Sequence, residues 1–321
     1  MSPLLEVLDL KKHFPISGGF FSRSREAVRA VDGLSFHVDK AETLSIVGES
    51  GCGKSTVGKA VLRLIEPTAG DVRLDGRSYV SAGSAEMKAI RRRLQVVFQD
   101  PFSSMNPRMR ARDIIAEPLE NFGLAKGREE TTAKVRELLV RVGLPAEALD
   151  RYPHEFSGGQ RQRLCIARAL APGADLIICD EAVSALDVSV KAQIVNLLSD
   201  LQDEIGVALL FISHDLAIVE HLTHRVAVMY LGRIVELADR RELFQHAHHP
   251  YTRALLSAVP APRVTGRGTR VVLKGDVPNP VHPPSGCHFH TRCPVAFARC
   301  RDDAPVLRSV GGMHLSACHL D

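Results

Sequence analysis

Gly48-Glu49-Ser50-Gly51-Cys52-Gly53-Lys54-Ser55-Thr56 satisfies G-x-x-x-x-G-K-[ST] at every fixed position. The apolar run Thr43 to Val47 before it reads as a short buried strand, and from Lys54 onward Val57, Val61, Leu62 and Ile65 recur at helical spacing. Glycines between a strand and a helix let the backbone turn tightly and aim successive N–H groups at phosphate oxygens. The helix start adds its positive dipole end. Lys54 then offers a point charge to the outer phosphates, and the Ser55 hydroxyl offers a ligand to Mg²⁺. This strand–loop–helix unit predicts an α/β fold of the P-loop NTPase class.

Working outward, Pro67 to Gly70 reads as a turn and Leu94 to Phe98 as a strand. From about Pro101 to Leu170 the strand signal stops. Ile114, Ile115 and Leu119, then Val135, Leu138, Leu139 and Val142, repeat at helical spacing, which predicts a helical insertion. Strands return at Leu176 to Cys179, Val207 to Ile212 and Val226 to Tyr230, with a helix on Val190, Ile194, Leu197, Leu198 and Leu201 among them. Strands alternating with helices predict a mostly parallel sheet covered on both faces. After about Phe244 His, Pro and Arg dominate, and Pro260-Ala261-Pro262 reads as a linker.

Bulk composition removes several classes of function. The 321 residues, 45% hydrophobic and 24% charged, suit one large α/β domain with an appendage. The net charge of +4 is spread out; Arg91-Arg92-Arg93 is the one tight basic run and reads as a solvated helix face. No Trp and only four Tyr are available to stack on bases, so no nucleic-acid partner is expected. No stretch approaches the roughly 18–20 apolar residues of a membrane span, and the N-terminus lacks a signal peptide's order. The expectation is a cytoplasmic chain that reaches a membrane only by docking on another protein. Of the seven cysteines, Cys52, Cys165 and Cys179 are scattered and read as packed thiols.

Two further elements add chemistry. Leu176-Ile177-Ile178-Cys179-Asp180-Glu181 is an apolar strand ending in two carboxylates, which puts both at the C-terminal edge of the sheet, where such folds bind ligands. Asp180 is then the acid for Mg²⁺ and Glu181 the group that polarises the attacking water. Ser157-Gly158-Gly159-Gln160 opens a second phosphate-seeking helix, on Leu164, Ala167 and Leu170. One nucleotide does not need both helix starts from one subunit, so the second is expected to serve a site on a partner.

With these elements in order the sequence resembles the ABC (ATP-binding cassette) ATPases over roughly residues 1–245. The resemblance rests on the phosphate loop, Gln99, the signature Phe156 to Gln160, Asp180-Glu181, the run Ser184-Ala185-Leu186-Asp187, and His214. It implies a RecA-like core with a helical subdomain at about 101–170. It also implies a head-to-tail dimer holding two ATP molecules, each between one subunit's phosphate loop and the other's signature. By the same resemblance Gln99 joins Ser55 and Asp180 at Mg²⁺, and Phe14, with Phe20 and Phe21 nearby, stacks on adenine. Residues 48–56, Ser157 to Gln160 and Asp187 line the nucleotide, and His214 contacts the γ-phosphate. Lys54, Gln99, Glu181 and His214 form the catalytic set. Phe156 and Ala182 stand where the family commonly has Leu and Pro; neither touches the polar chemistry, so a competent ATPase is expected.

His249 to Leu256 and Phe98 to Arg108 resemble the ATPases of oligopeptide, dipeptide and nickel importers, most closely the F-type member of a pair. The resemblance implies a D-type ATPase partner, two permease subunits and a periplasmic or lipoprotein substrate-binding protein, with the chain at the cytoplasmic face of the membrane. The function this implies is ATP hydrolysis that energises import of dipeptides or oligopeptides, with a related nickel or glutathione importer as the alternative. A soluble ABC ATPase acting on nucleic acid or ribosomes usually has paired cassettes, coiled-coil insertions or basic arms, none of which is present. Intact Glu181 and His214 argue against a purely structural subunit. Residues 246–321 form a C-terminal extension carrying Cys287, Cys293, Cys300 and Cys318. Four thiols without C-x₂₋₄-C pairs suit a [4Fe–4S] cluster better than zinc, for which His288 and His290 are alternate ligands; plain thiols are the third reading.

Overall fold

The computed structural model describes residues 2–16, 26–259 and 272–320. Phe20, Phe21 and the expected linker at Pro260 to Pro262 lie outside them. Two compact units emerge: residues 1–37, 44–80 and 213–321 form the first, residues 38–43 and 81–212 the second.

The first unit opens with β1 (Leu5–Pro15), β2 (Ala27–Val38), β3 (Thr43–Val47), α1 (Lys54–Val61), β4 (Ala69–Leu74) and β5 (Arg77–Ser78). The second holds α2 (Ser84–Arg93), β6 (Leu94–Val97), α3 (Ala111–Asn121), α4 (Gly127–Arg141), α5 (Gly158–Leu170), β7 (Leu176–Asp180), α6 (Val188–Ile205) and β8 (Ala208–Ser213). The chain then completes the first with α7 (Leu216–Leu222), β9 (Arg225–Tyr230), β10 (Arg233–Asp239), α8 (Arg240–Gln245) and α9 (Pro250–Ser257). Last come α10 (Arg299–Asp302), β11 (Arg308–Gly311) and β12 (His314–Ser316).

In the second unit β8, β7 and β6 lie side by side and parallel; β7 and β8 are wholly buried, as a parallel sheet covered on both faces requires, while β6 is buried only at Leu94 and Val97. Helix α6 buries Ile194, Leu197, Leu198 and Leu201 on one face and stops at Gly206, whose φ of 69° suits a left-handed C-cap. Between Pro101 and Leu170 the described residues hold helices and no strand. Arg91 to Arg93 fall in the last turn of α2, where basic side chains favour the helix dipole.

In the first unit β3 runs parallel to β9, and β9, β10, β12 and β11 follow in antiparallel order. The expected parallel sheet therefore holds for β3 with β9 and for β6 to β8, and gives way to an antiparallel ladder from β9 onward. Glu236, fully buried in β10, accepts hydrogen bonds from the N–H groups of His248 (2.6 Å) and His249 (3.1 Å) and meets His314 Nε2 of β12 at 2.7 Å. A separate sheet runs β2-β1-β4-β5. The turn read at Pro67 to Gly70 ends early, since Ala69 and Gly70 already belong to β4. Among the described residues no helix is long and apolar enough to cross a membrane.

Candidate nucleotide site

The phosphate loop joins β3 to α1 in the first unit, and packing fixes its glycines. A Cβ on Gly48 would lie 2.2 Å from the Met229 carbonyl oxygen, and one on Gly53 would lie 1.9 Å from that of Ala30. Gly53 also sits at φ 105°, where a side chain is strained regardless of space. The tip of the β9–β10 hairpin supports the loop from outside. Leu231 and Gly232 both take positive φ, the two-residue turn matching the twist of the strands, and the Gly232 N–H donates to the Cys52 carbonyl (3.0 Å). Ala30 and this hairpin tip escaped the sequence reading; Leu231-Gly232 was the local signal for the turn. Lys54 is buried, and its ammonium donates to the carbonyls of Gly48 (2.8 Å) and Glu49 (2.9 Å).

Two other predicted residues belong to this unit. His214 is exposed directly after β8, where the Ser213 hydroxyl accepts from the Asp215 N–H (3.0 Å) and Asp215 in turn caps α7 through the Ala217 N–H (3.2 Å). Phe14 is exposed at the end of β1, with Lys12 Nζ 5.0 Å from its ring centre.

The second unit carries the rest of the predicted set. Gln99 is exposed just past β6, and Asp180 is a buried carboxylate ending β7. Glu181 takes φ 50°, a left-handed conformation costly for a residue other than glycine, and such outliers cluster where function demands them. It is held there by its N–H donating to the Ile212 carbonyl (2.9 Å) and its carbonyl accepting from the Ser184 N–H (3.0 Å) and hydroxyl (2.8 Å). At α5 the Ser157 hydroxyl accepts from the Gln160 N–H (3.3 Å), while the Gln160 side-chain oxygen accepts from the Ser157 N–H (3.0 Å), a reciprocal capping box. Gly159 is pressed on α6: a Cβ there would lie 2.4 Å from Val190 Cγ1. Asp187 is exposed at the N-cap of α6. Phe156 and Ala182, the two departures from the family pattern, are both buried.

Cys52, Cys165 and Cys179 are buried thiols; burial raises all three, pushing Cys179 up to about 12. Burial also pushes Cys287 up to about 11, with Cys300, Cys318 and Cys293 adding to the rise. These four are neighbours, yet among the described residues no group of three or more His, Cys, Asp or Glu side chains converges to hold a metal ion. The expected cluster or zinc site at Cys287, Cys293, Cys300 and Cys318 is therefore not supported by this geometry.

Residues 31–184 match the ABC transporter family, and residues 235–300 match the oligopeptide/dipeptide transporter C-terminal region. A probable peptide ABC transporter ATP-binding protein of Sinorhizobium fredii is 55% identical over 317 residues, 99% of this chain and 90% of that protein. The oligopeptide transport ATP-binding protein AppF of Bacillus subtilis is 51% identical over 320 residues, 99% of this chain and 97% of its own length. Among solved structures, a dimeric ATP-binding cassette in a post-hydrolysis state with ADP and Pi is similar at TM-score 0.65 and 26% identity, over 74% of this chain and 99% of that one. The CbiO1 part of a Clostridium perfringens ABC transporter complex shares the fold at TM-score 0.66 and 24% identity, over 77% of this chain and 92% of its own. This chain belongs to the ATP-binding subunits of ABC transporters, an ATPase family.

Proposed function

We propose that this chain hydrolyses ATP to energise an importer of dipeptides or oligopeptides, at the cytoplasmic face of the membrane and in contact with it only through permease subunits. The observation that carries the reading is the match of residues 235–300 to the oligopeptide/dipeptide transporter C-terminal region, on a chain that also has the nucleotide motifs. On this reading residues 1–245 are the cassette, with a helical subdomain at 101–170, and residues 246–321 are the importer-type extension. The chain is the F-type ATPase, partnered by a D-type ATPase, two permeases and a substrate-binding protein.

In the reaction the phosphate loop, residues 48–56, holds the ATP phosphates, and Phe14 stacks on the adenine. Lys54 of one subunit and Ser157 to Gln160 of the other offset charge on the γ-phosphate; Asp187 lies at the same interface. Ser55, Gln99 and Asp180 are hard oxygen donors, the set that suits Mg²⁺, which supplies positive charge to the outer phosphates. Glu181 takes the proton of the attacking water as the bond to the ADP oxygen breaks, and His214 hydrogen-bonds the γ-phosphate. The four tail thiols remain the donors such an extension offers a [4Fe–4S] cluster or zinc. No step runs through that group, and iron, sulfide and zinc assays on the anaerobically purified complex test for it.

The deciding experiment reconstitutes the chain with its permeases and partner ATPase in vesicles and adds the substrate-binding protein. Peptide should stimulate hydrolysis, and Glu181→Gln should lower kcat by about 10²–10⁴ while Mg·ATP binding persists. Stimulation by a nickel chelate or glutathione, but by no peptide, would overturn the cargo assignment. Purification with nucleic acid instead of permeases would overturn the transport reading.

A further inference from the structure

Glu49, the first variable residue of the phosphate loop, is gripped from behind by the C-terminal segment. Arg292 Nη1 donates to Glu49 Oε2 at 2.7 Å and Arg292 Nη2 donates to Oε1 at 3.0 Å, a two-pronged pair. The same residue's N–H donates to the Tyr251 hydroxyl at 2.9 Å. Backbone and side chain of one loop residue are thus held by two segments more than two hundred positions away.

The grip is not a casual surface pair. The Arg292 side chain is 8% exposed and Tyr251 is wholly buried. Arg292 arrives on a turn whose N–H donates to the carbonyl of Phe289 (3.0 Å), itself buried. Phe289 packs against Tyr230 and Tyr251 with ring centres 5.2 and 5.3 Å apart, and Tyr230 and Tyr251 meet at 4.8 Å. Exposed ion pairs contribute little; a bidentate pair on a packed aromatic platform is stronger and resists rearrangement. Glu49 directly follows Gly48, which packing against Met229 already fixes, so the clasp and that packing together set the direction of the N–H groups that come next.

We propose that Arg292 and Tyr251 are positioning residues for nucleotide binding: they hold Glu49 so that the following loop N–H groups stay aimed at phosphate. The proposal rests on residues 48–56 being the nucleotide loop, and neither residue is assigned contact with nucleotide. It gives the importer-type segment a part in the ATP site beyond marking the kind of transporter.

The test titrates Mg·ATP into the full-length chain carrying Glu181→Gln, and measures KM and kcat in the assembled ATPase with Glu181 intact. Arg292→Ala should raise the Kd and KM for Mg·ATP about tenfold, with kcat changed less than about twofold, the loss of one charge-assisted pair. Tyr251→Phe keeps the ring packing and should raise Kd about threefold. Arg292→Glu should weaken binding further, and Glu49→Arg in the same chain should recover most of the loss, a rescue that general destabilisation would not give. Lys54→Ala is the control for the loop itself: if it leaves binding intact, the loop assignment fails. If it abolishes binding while Arg292→Ala and Tyr251→Phe keep the parent Kd, the positioning proposal fails alone. Should Arg292→Ala not fold, Tyr251→Phe and the exchanged pair decide.

Discussion

The two helix starts that read as phosphate-seeking differ in what satisfies their N–H groups. At α1 the N-cap is Gly53, which makes no side-chain cap, and its backbone is wedged under the Ala30 carbonyl. At α5 the N-cap is Ser157, whose hydroxyl is engaged by its own helix through Gln160. The first start is shaped by distant parts of the sheet and has no side-chain cap of its own. The second is completed locally, and its hydroxyl must be shared or released before it can serve a phosphate. On the proposed reading the first helix end binds phosphate within its own subunit, and the second serves a partner's nucleotide.

The contrast breaks most visibly at Gly53. Gly53→Ala meets a backbone oxygen that cannot give way, at a φ hostile to side chains. Mg·ATP binding by the single chain should fall more than about a hundredfold, and stability should drop by roughly 3 kcal/mol or more in urea titration. Gly159→Ala meets only the tip of Val190, so it should cost about 1–3 kcal/mol, and Val190→Ala in the same chain should restore most of it. Equal, unrescued losses at the two glycines would erase the distinction. The smallest effect belongs to Ser157→Ala. It should cost about 1 kcal/mol of stability and leave Mg·ATP binding by the single chain unchanged. Steady-state hydrolysis by the assembled transporter should fall about tenfold. A loss of single-chain binding would mean that α5 does not wait for a partner.

What could be read without coordinates follows the same division. Strands β3, β7, β8 and β9 are unbroken buried runs, and the nucleotide motifs sit at the ends of the first three, so local pattern suffices. Strand β1 was missed because its alternation is interrupted: the register with β4 shifts between Leu8 and Lys11, and Asp9 takes φ 45°. Strands β11 and β12 are too short and polar to announce themselves, and their existence depends on β10 as a template. The clasp of Arg292 on Glu49 has no sequence signal, since no periodicity links residues so far apart. The strain at Glu181 was equally hidden, because glutamate gives no hint of a left-handed backbone.

The late pairing of β12 with β10 also bears on how the chain is made. During synthesis β9 and β10 leave the ribosome well before His314 to Ser316 can join them, so β10 exposes a bare ladder edge for that interval. Unpaired edges recruit other strands, so the nascent protein is open to aggregation in this window. Once β12 arrives, the outermost strand is the four-residue β11, with Arg308 and Ser309 exposed, a poor template for any further chain.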